Sequence, residues 1–196
     1  MSRYFVHTPK IIQRIFNKVT WRIENERAIY LTFDDGPHPE VTLELLKLLK
    51  KNNAKATFFL LGKNAENHPE LVSKIIEENH TIGFHCNEHV NARNLNREQL
   101  LKNFKLPENF PKTKHYRPPY GKLRLWQYNF LKRKFPLVGW TIMPGDFDKK
   151  KKMEQQLFDL NSAKAGDIVV LHELPHTLKL LEVYFEQTKH LSFEKL

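Results

Sequence analysis

From residue 28 onward, short runs of β-branched and aromatic residues alternate with longer stretches of helical spacing, and no Gly/Ser linker or low-complexity segment interrupts them. Such alternation gives parallel strands joined by crossover helices, hence an open doubly wound sheet or a barrel. The pattern predicts strands at 28–33, 57–61, 81–84, 115–117, 137–142 and 167–171. It predicts helices at 41–51, with Leu43, Leu46 and Leu49 on the buried side, and at 68–79, 98–104, 123–134, 153–163 and 178–188. These make about six βα units. In both architectures functional groups gather at the carboxyl ends of the strands. No repeat, Gly-rich dinucleotide fingerprint or phosphate loop is present, which removes nucleotide chemistry from the candidates.

With 196 residues, the chain suits one core, and a single domain over 1–196 is expected. The longest nearly apolar run, 56–61, is far short of the ~20 residues of a spanning helix. Cys86 is the lone cysteine, so no intramolecular disulfide forms, and a reducing, cytoplasmic location is the default. The formal charge of +10 favours an anionic partner or surface. Nucleic acid is not expected, because no recognition motif accompanies the basic runs at 132–134 and 149–152; these are read as charges near helix ends.

Residues 1–22 contain no apolar core followed by a cleavage site, so no cleavable secretion signal is expected. After Pro9, the residues Ile11, Ile12, Ile15, Phe16 and Val19 recur at helical spacing between Lys10, Arg14 and Lys18. This amphipathic basic segment is expected to pack on its own domain. Peripheral contact with an anionic membrane, at the inner membrane surface, is the alternative.

At the strand ends stand Asp34 and Asp35, His85 and His89, Arg117, Asp146 and His172. Any one of them alone would be a turn, a cap or a structural histidine; their convergence at one rim is what signals chemistry. In Asp34-Asp35-Gly36-Pro37 the Gly-Pro turn lets two carboxylates diverge, one to a cation and one to a proton. His85 and His89, four apart, project to one side if they share a helical turn. With Asp35 they make a mixed N/O set that leaves positions for water and substrate, a catalytic pattern. Cys86 lies where a zincin carries its glutamate, which argues against a metalloprotease; a buried thiol is expected instead. In Arg117-Pro118-Pro119-Tyr120-Gly121 the prolines lack N–H groups, so Tyr120 supplies the first backbone donor, suited to an oxyanion.

Leu31-Thr32-Phe33-Asp34-Asp35-Gly36-Pro37-His38-Pro39, His85-Cys86-Asn87-Glu88-His89, Arg117-Pro118-Pro119-Tyr120-Gly121 and Val169-Val170-Leu171-His172-Glu173 resemble, in order, the motifs of the polysaccharide deacetylase family, carbohydrate esterase family four. The resemblance covers 28–173 and implies a distorted, incomplete (β/α) barrel that removes N-acetyl groups from amino sugars of chitooligosaccharide or peptidoglycan type. It implies Asp34 as general base, Asp35, His85 and His89 as ligands of a divalent metal, and His172 as general acid. Arg117 would orient Asp34, the Tyr120 N–H would bind the oxyanion, and Asp146 would tune His172. Zinc is expected, with cobalt, nickel or manganese compatible. The chain departs from the family at Phe147, where Trp is common, at Cys86, where Ser or Thr is usual, and at Val170, where Leu often lies beside the acetyl methyl. Phe147 and Val170 are the expected substrate contacts beside Tyr120. Trp126, Tyr128 and Trp140 are read as core rather than as sugar-stacking residues. A monomer is expected. The alternative substrates are a lipid-linked amino sugar or a small N-acyl compound, and a non-catalytic carbohydrate-binding remnant is the competing class.

Overall fold

The computed structural model describes residues 4–24 and 27–196, so 1–3 of the N-terminal segment lie outside the described residues. Among the described residues, five strands, numbered in chain order, form one parallel sheet. β1 (Ala28–Asp34) lies between β2 (Ala56–Leu60) and β4 (Ile168–His172), and β3 (Thr81–Phe84) flanks β2. The two-residue β5 (Ser192–Phe193) pairs with the amino end of β1, so the C-terminal tail lies at the end of the sheet away from the strand carboxyl termini. Every residue of β1 and β2 is buried, as expected of parallel strands covered on both faces.

Strand alternation separates two apolar layers. Ile29, Leu31 and Phe33 join Phe58, Leu60, Val169 and Leu171 in the outer layer, beneath Leu45, Leu46, Leu49, Val72, Ile75, Leu180 and Leu181 of the helices. Those helices are α2 (Thr42–Lys51), α4 (Pro69–Glu77) and α8 (Pro175–Gln187), the last two opened by a proline that needs no N–H partner there. Tyr30, Phe59, Val138 and Ile168 point the other way into a smaller inner cluster. In α2 the buried stripe is Leu45, Leu46 and Leu49, whereas Leu43, expected inside, is exposed.

Two expected strands shrink to isolated bridges, at Tyr116 and at Leu137, Val138 and Ile142. Tyr116 bridges Phe84 and Leu137, and Ile142 bridges Val169, so the gap between β3 and β4 is spanned without a continuous ladder. Pro118, Pro119 and Pro136 remove donors and Gly139 lacks a side chain to pack, which prevents regular strands here. The result is an open, distorted (β/α) barrel with fewer than the expected six units.

Three smaller helices complete the expected set: α5 (Arg97–Phe104), with an Asn96/Gln99 capping box, α6 (Leu125–Leu131) and α7 (Met153–Leu160). A further helix, α3 (Gly62–Asn67), was not expected; its sequence Gly-Lys-Asn-Ala-Glu-Asn has no apolar period to betray it. The basic run at 132–134 follows the carboxyl end of α6 as expected, but that at 149–152 precedes the amino end of α7, where Lys151 pairs with Asp159 instead of with a helix carbonyl end.

The N-terminal segment packs on its own domain. Its helix α1 (Lys10–Ile15) is flanked by a backbone pairing in which Thr8 N donates to Thr141 O and Met143 N to Val6 O. Phe16 meets the buried Tyr128 edge-on at 4.8 Å, and the indole N–H of Trp21 donates to Phe16 O. No helix among the described residues is long and apolar enough to cross a membrane.

Candidate metal centre

β1 delivers Asp34 to the rim, and Asp35 then turns the chain with φ 73°, a left-handed conformation that residues with a β-carbon seldom adopt. Surrounding groups hold that turn: Leu61 N donates to Gly36 O at 2.9 Å and the Asn64 side chain to Asp35 O at 2.8 Å. On the far side lies Glu173. A β-carbon on Gly36 would fall 1.6 Å from its Oε1, so only glycine fits. Glu173 Oε2 accepts from His38 N at 3.3 Å and from the Thr42 hydroxyl, while Oε1 has no partner, and burial pushes this carboxyl up to about 7.

The two histidines sit on an irregular loop after β3, not on the expected helical turn, because Cys86 takes φ 70° and breaks any helix between them. His85 N donates to Leu60 O, Asn87 N to Asn103 O, and Glu88 N to the Asn103 side chain. Gly62 N and Lys63 N, at the start of α3, donate to Cys86 O and Asn87 O. The unexpected helix therefore ties the carboxylate turn to the histidine loop. Cys86 is the buried thiol expected, its pKa raised by burial.

Asp35 Oδ1 lies 3.4 Å from His85 Nε2 and 3.3 Å from His89 Nε2. One donor atom from each of the three residues falls within 4.8 Å of the others. Asp35 Oδ1 is buried and accepts no hydrogen bond, an arrangement that costs stability unless a cation satisfies it. Burial outweighs the neighbouring carboxylates and lowers the His85 pKa, which keeps its ring neutral, the form that ligates. Two imidazole nitrogens and one carboxylate oxygen suit a divalent transition metal, so the residues present fit such an ion.

Asp34 is buried beside this triad, with Oδ2 3.9 Å from His85 Nε2. Burial alone would raise its pKa, but the Arg117 guanidinium, His85 and His172 more than offset that and hold it below the ordinary value. Arg117 is fully buried: Nη1 donates to Asp34 Oδ1 and to Thr32 Oγ1, both at 2.7 Å, Nη2 donates to Gly139 O at 2.9 Å, and the guanidinium lies 3.9 Å from the Phe59 ring centre.

Across the rim, Asp146 accepts three hydrogen bonds. They come from His172 N at 2.7 Å, Thr177 Oγ1 at 2.7 Å and His172 Nδ1 at 2.9 Å. Burial would lower the His172 pKa, yet Asp146 raises it to about 9, so the ring carries a proton at neutral pH. Phe147 stands edge-on to His172 at 5.0 Å and is half exposed, a wall beside the acid. Val170 is buried two residues before His172 on β4, the register of the inward face.

Tyr120 also has positive φ, 61°, held by the preceding prolines and by Gly121, whose added β-carbon would lie 2.3 Å from the Trp140 ring. Its ring packs on His89 at 4.5 Å. Nine of the ten expected site residues thus gather at one rim, with Val170 on the same strand face two residues below His172. Tyr128 is core as expected, Trp140 packs against the inner cluster, and Trp126 is exposed. Thr32, Asn64, Thr177 and Glu173 were missed, since hydroxyls, an amide and a carboxylate that act on other side chains have no spacing of their own; only the position of Thr32 two residues before Asp34 on the same strand face offered a hint.

Residues 22–132 match the family described as polysaccharide deacetylase. The chain is 34% identical over 158 residues to a peptidoglycan-N-acetylglucosamine deacetylase of Bacillus cereus, with 77% of this chain and 58% of that one aligned. It is 30% identical over 162 residues to a chitooligosaccharide deacetylase of Azorhizobium caulinodans, with 76% and 75% aligned. The chain therefore spans little more than half of the first relative and three quarters of the second. Among solved structures, a peptidoglycan N-acetylglucosamine deacetylase in complex with 4-naphthalen-1-yl-N-oxidanyl-benzamide superposes with a TM-score of 0.76 at 30% identity, covering 92% of both chains.

Proposed function

Since the chain belongs to the polysaccharide deacetylase family, we propose that it hydrolyses the N-acetyl group of amino sugars in a chitooligosaccharide or peptidoglycan fragment, using a divalent metal held by Asp35, His85 and His89. The observation that carries this reading is the partnerless, buried Asp35 Oδ1 facing two imidazole nitrogens, with a carboxylate–arginine pair on one side and a histidine–carboxylate pair on the other. Zinc is the metal proposed. When bound, such an ion lowers the pKa of water and polarises an acyl carbonyl.

The protein's own groups divide the remaining work. Asp34, held ionised by Arg117, takes the proton of the attacking water. The Tyr120 N–H faces the developing oxyanion, where a preorganised backbone donor acts without reorganisation. An amide nitrogen leaves only when protonated, and His172, charged through Asp146, delivers that proton. Acetate and a free amine result. Phe147 and Val170 border the acyl group.

The test measures acetate release from N-acetylglucosamine oligomers, peptidoglycan fragments and lipid-linked amino sugars, with metal content determined on the same sample. Acetate release that vanishes on chelation and returns with zinc is expected; acetate release that survives complete metal removal, or none on any member of the panel, overturns the proposal. An aryl hydroxamate, of the class bound by the structural relative, should bind only the metal-loaded protein. We extend the proposal to a monomeric single domain over 1–196, residing in the cytoplasm near the membrane surface. Recovery of the full chain outside the cell on fractionation would contradict that location.

A further inference from the structure

Behind Tyr120 lies an apolar cavity of about 220 Å³. One wall is the barrel itself, through Tyr120, Leu123, Val138 and Trp140; the other is the N-terminal segment, through Ile12 and Phe16. The second wall precedes residue 22, where the match to the family begins, so this cavity is built partly by sequence outside that match.

The cavity adjoins the metal centre at both edges. Tyr120 lines it and packs on His89. Tyr4 lines it too, and its ring meets Phe147 at 5.1 Å, which in turn meets His172. A ligand with its polar end between His89 and His172 therefore has an apolar recess beside it. The outer face of the segment is unusual as well: Ile11 and Ile15, one turn apart on α1, are 62% and 53% exposed among Lys10, Arg14 and Lys18. A dry cavity of ~150 Å³ takes up benzene, so this one accommodates about eight carbons.

Resting on the deacetylase reading, we infer that the cavity binds an alkyl chain carried by the substrate, which makes the substrate an amphiphile: an N-acetylated amino sugar bearing a lipid chain. The sugar lies at the metal centre, and the chain passes Tyr120 to lie between α1 and Trp140. Lys122, at the cavity wall, suits an anionic linkage between the two.

The test titrates methyl, butyl, hexyl and octyl glycosides of N-acetylglucosamine against the zinc-loaded full chain by calorimetry, with free 1-octanol as a separate titrant. Affinity is expected to rise about fourfold per methylene, the equivalent of ~0.8 kcal/mol, and to level off near octyl. Ile12→Trp, and from the opposite wall Leu123→Trp, fill the cavity; each should flatten the chain-length dependence and leave methyl glycoside binding unchanged. Two filling variants guard against one of them misfolding. A flat dependence in the parent protein overturns the inference, as does a steep dependence that both filled variants retain. Octanol binding without chain-length dependence of the glycosides also overturns it, since the cavity would then serve an unattached lipid. Chain-length dependence without acetate release from any glycoside leaves the cavity standing and defeats the deacetylase reading instead.

Discussion

The two halves of the barrel position their groups by different means. In the half made by β1 to β4, ladder hydrogen bonds run the length of the strands, and Asp34 and His172 occupy paired positions at the top of neighbouring strands. In the half between 115 and 147, single bridges replace ladders, and Arg117, Tyr120 and Asp146 are placed by prolines, a positive-φ backbone and buried ion pairs. The regular half places its groups by strand register. The irregular half supplies what orients and charges those groups: Arg117 holds Asp34, and Asp146 holds His172. Regular ladders give positional precision at strand ends, whereas buried polar side chains tune charge, and few positions can do both. Backbone strain follows the same logic. Of the five non-glycine residues described with positive φ, Asp35, Cys86 and Tyr120 lie in the site motifs, and strain of about 1–3 kcal/mol each persists only where surrounding contacts over-determine it.

Several substitutions would break or sharpen this contrast. His89→Ala, in the loop that follows the ladder half, should abolish metal binding and reduce acetate release to the uncatalysed background; metal analysis and the acetate assay on one sample check both, and retained activity would remove His89 from the ligand set. Asp34→Asn should keep the metal and lower turnover by about 10²–10⁴-fold, the ordinary worth of a general base. Equal activity in that variant would refute its assigned role.

Arg117→Met tests whether the irregular half also stabilises the regular one. It leaves Asp34 buried without its cation and should cost about 3–5 kcal/mol, lowering Tm by roughly 6–20 °C. Adding Asp34→Asn should recover part of the loss, because the uncompensated charge disappears. A loss below about 1 kcal/mol in thermal denaturation would show that the two halves are not coupled through this pair.

Asp146→Asn addresses charge tuning. The His172 pKa of about 9 lies above that of a free histidine. The proton it retains therefore stabilises the fold fully below about pH 6.5, and this contribution fades as pH rises through about 9. Without the carboxylate, an imidazole NMR titration of metal-free protein should show the midpoint moving down toward the ordinary histidine value. An unmoved midpoint would assign the proton to other neighbours. The smallest effect is expected for Tyr120→Ala. Its donor is the backbone N–H, so activity should stay within about tenfold of the parent, a loss of some 1.4 kcal/mol. A loss of about 10³-fold would mean that the ring on His89 matters more than the amide.

The regular half was also the readable one. The predicted strand at 81–84 has the observed bounds, and that at 28–33 lacks only Asp34, because buried parallel strands carry continuous apolar runs that turn residues then cut. The segment 137–142 is similarly rich in β-branched and aromatic residues and 115–117 is His-Tyr-Arg, but prolines before or after them deny the donors a ladder requires. The four-residue spacing of the histidines suggested a helical turn, and the rings do converge, but through a left-handed Cys86 and anchors on Asn103 that no local pattern encodes.

From the chain alone came the α/β class, the rim of polar residues at strand ends and the candidate ligand set, because strand periodicity and turn chemistry are local properties and the motifs are short. The tertiary structure alone decided that Arg117 is a fully buried counter-ion, that α3 and Glu173 brace the metal-side turn, and that the N-terminal segment walls an apolar cavity beside the site. Each of these joins residues 29 to more than 130 positions apart, and such pairings arise from packing around a common core, where free energy depends on which surfaces meet and not on their order along the chain.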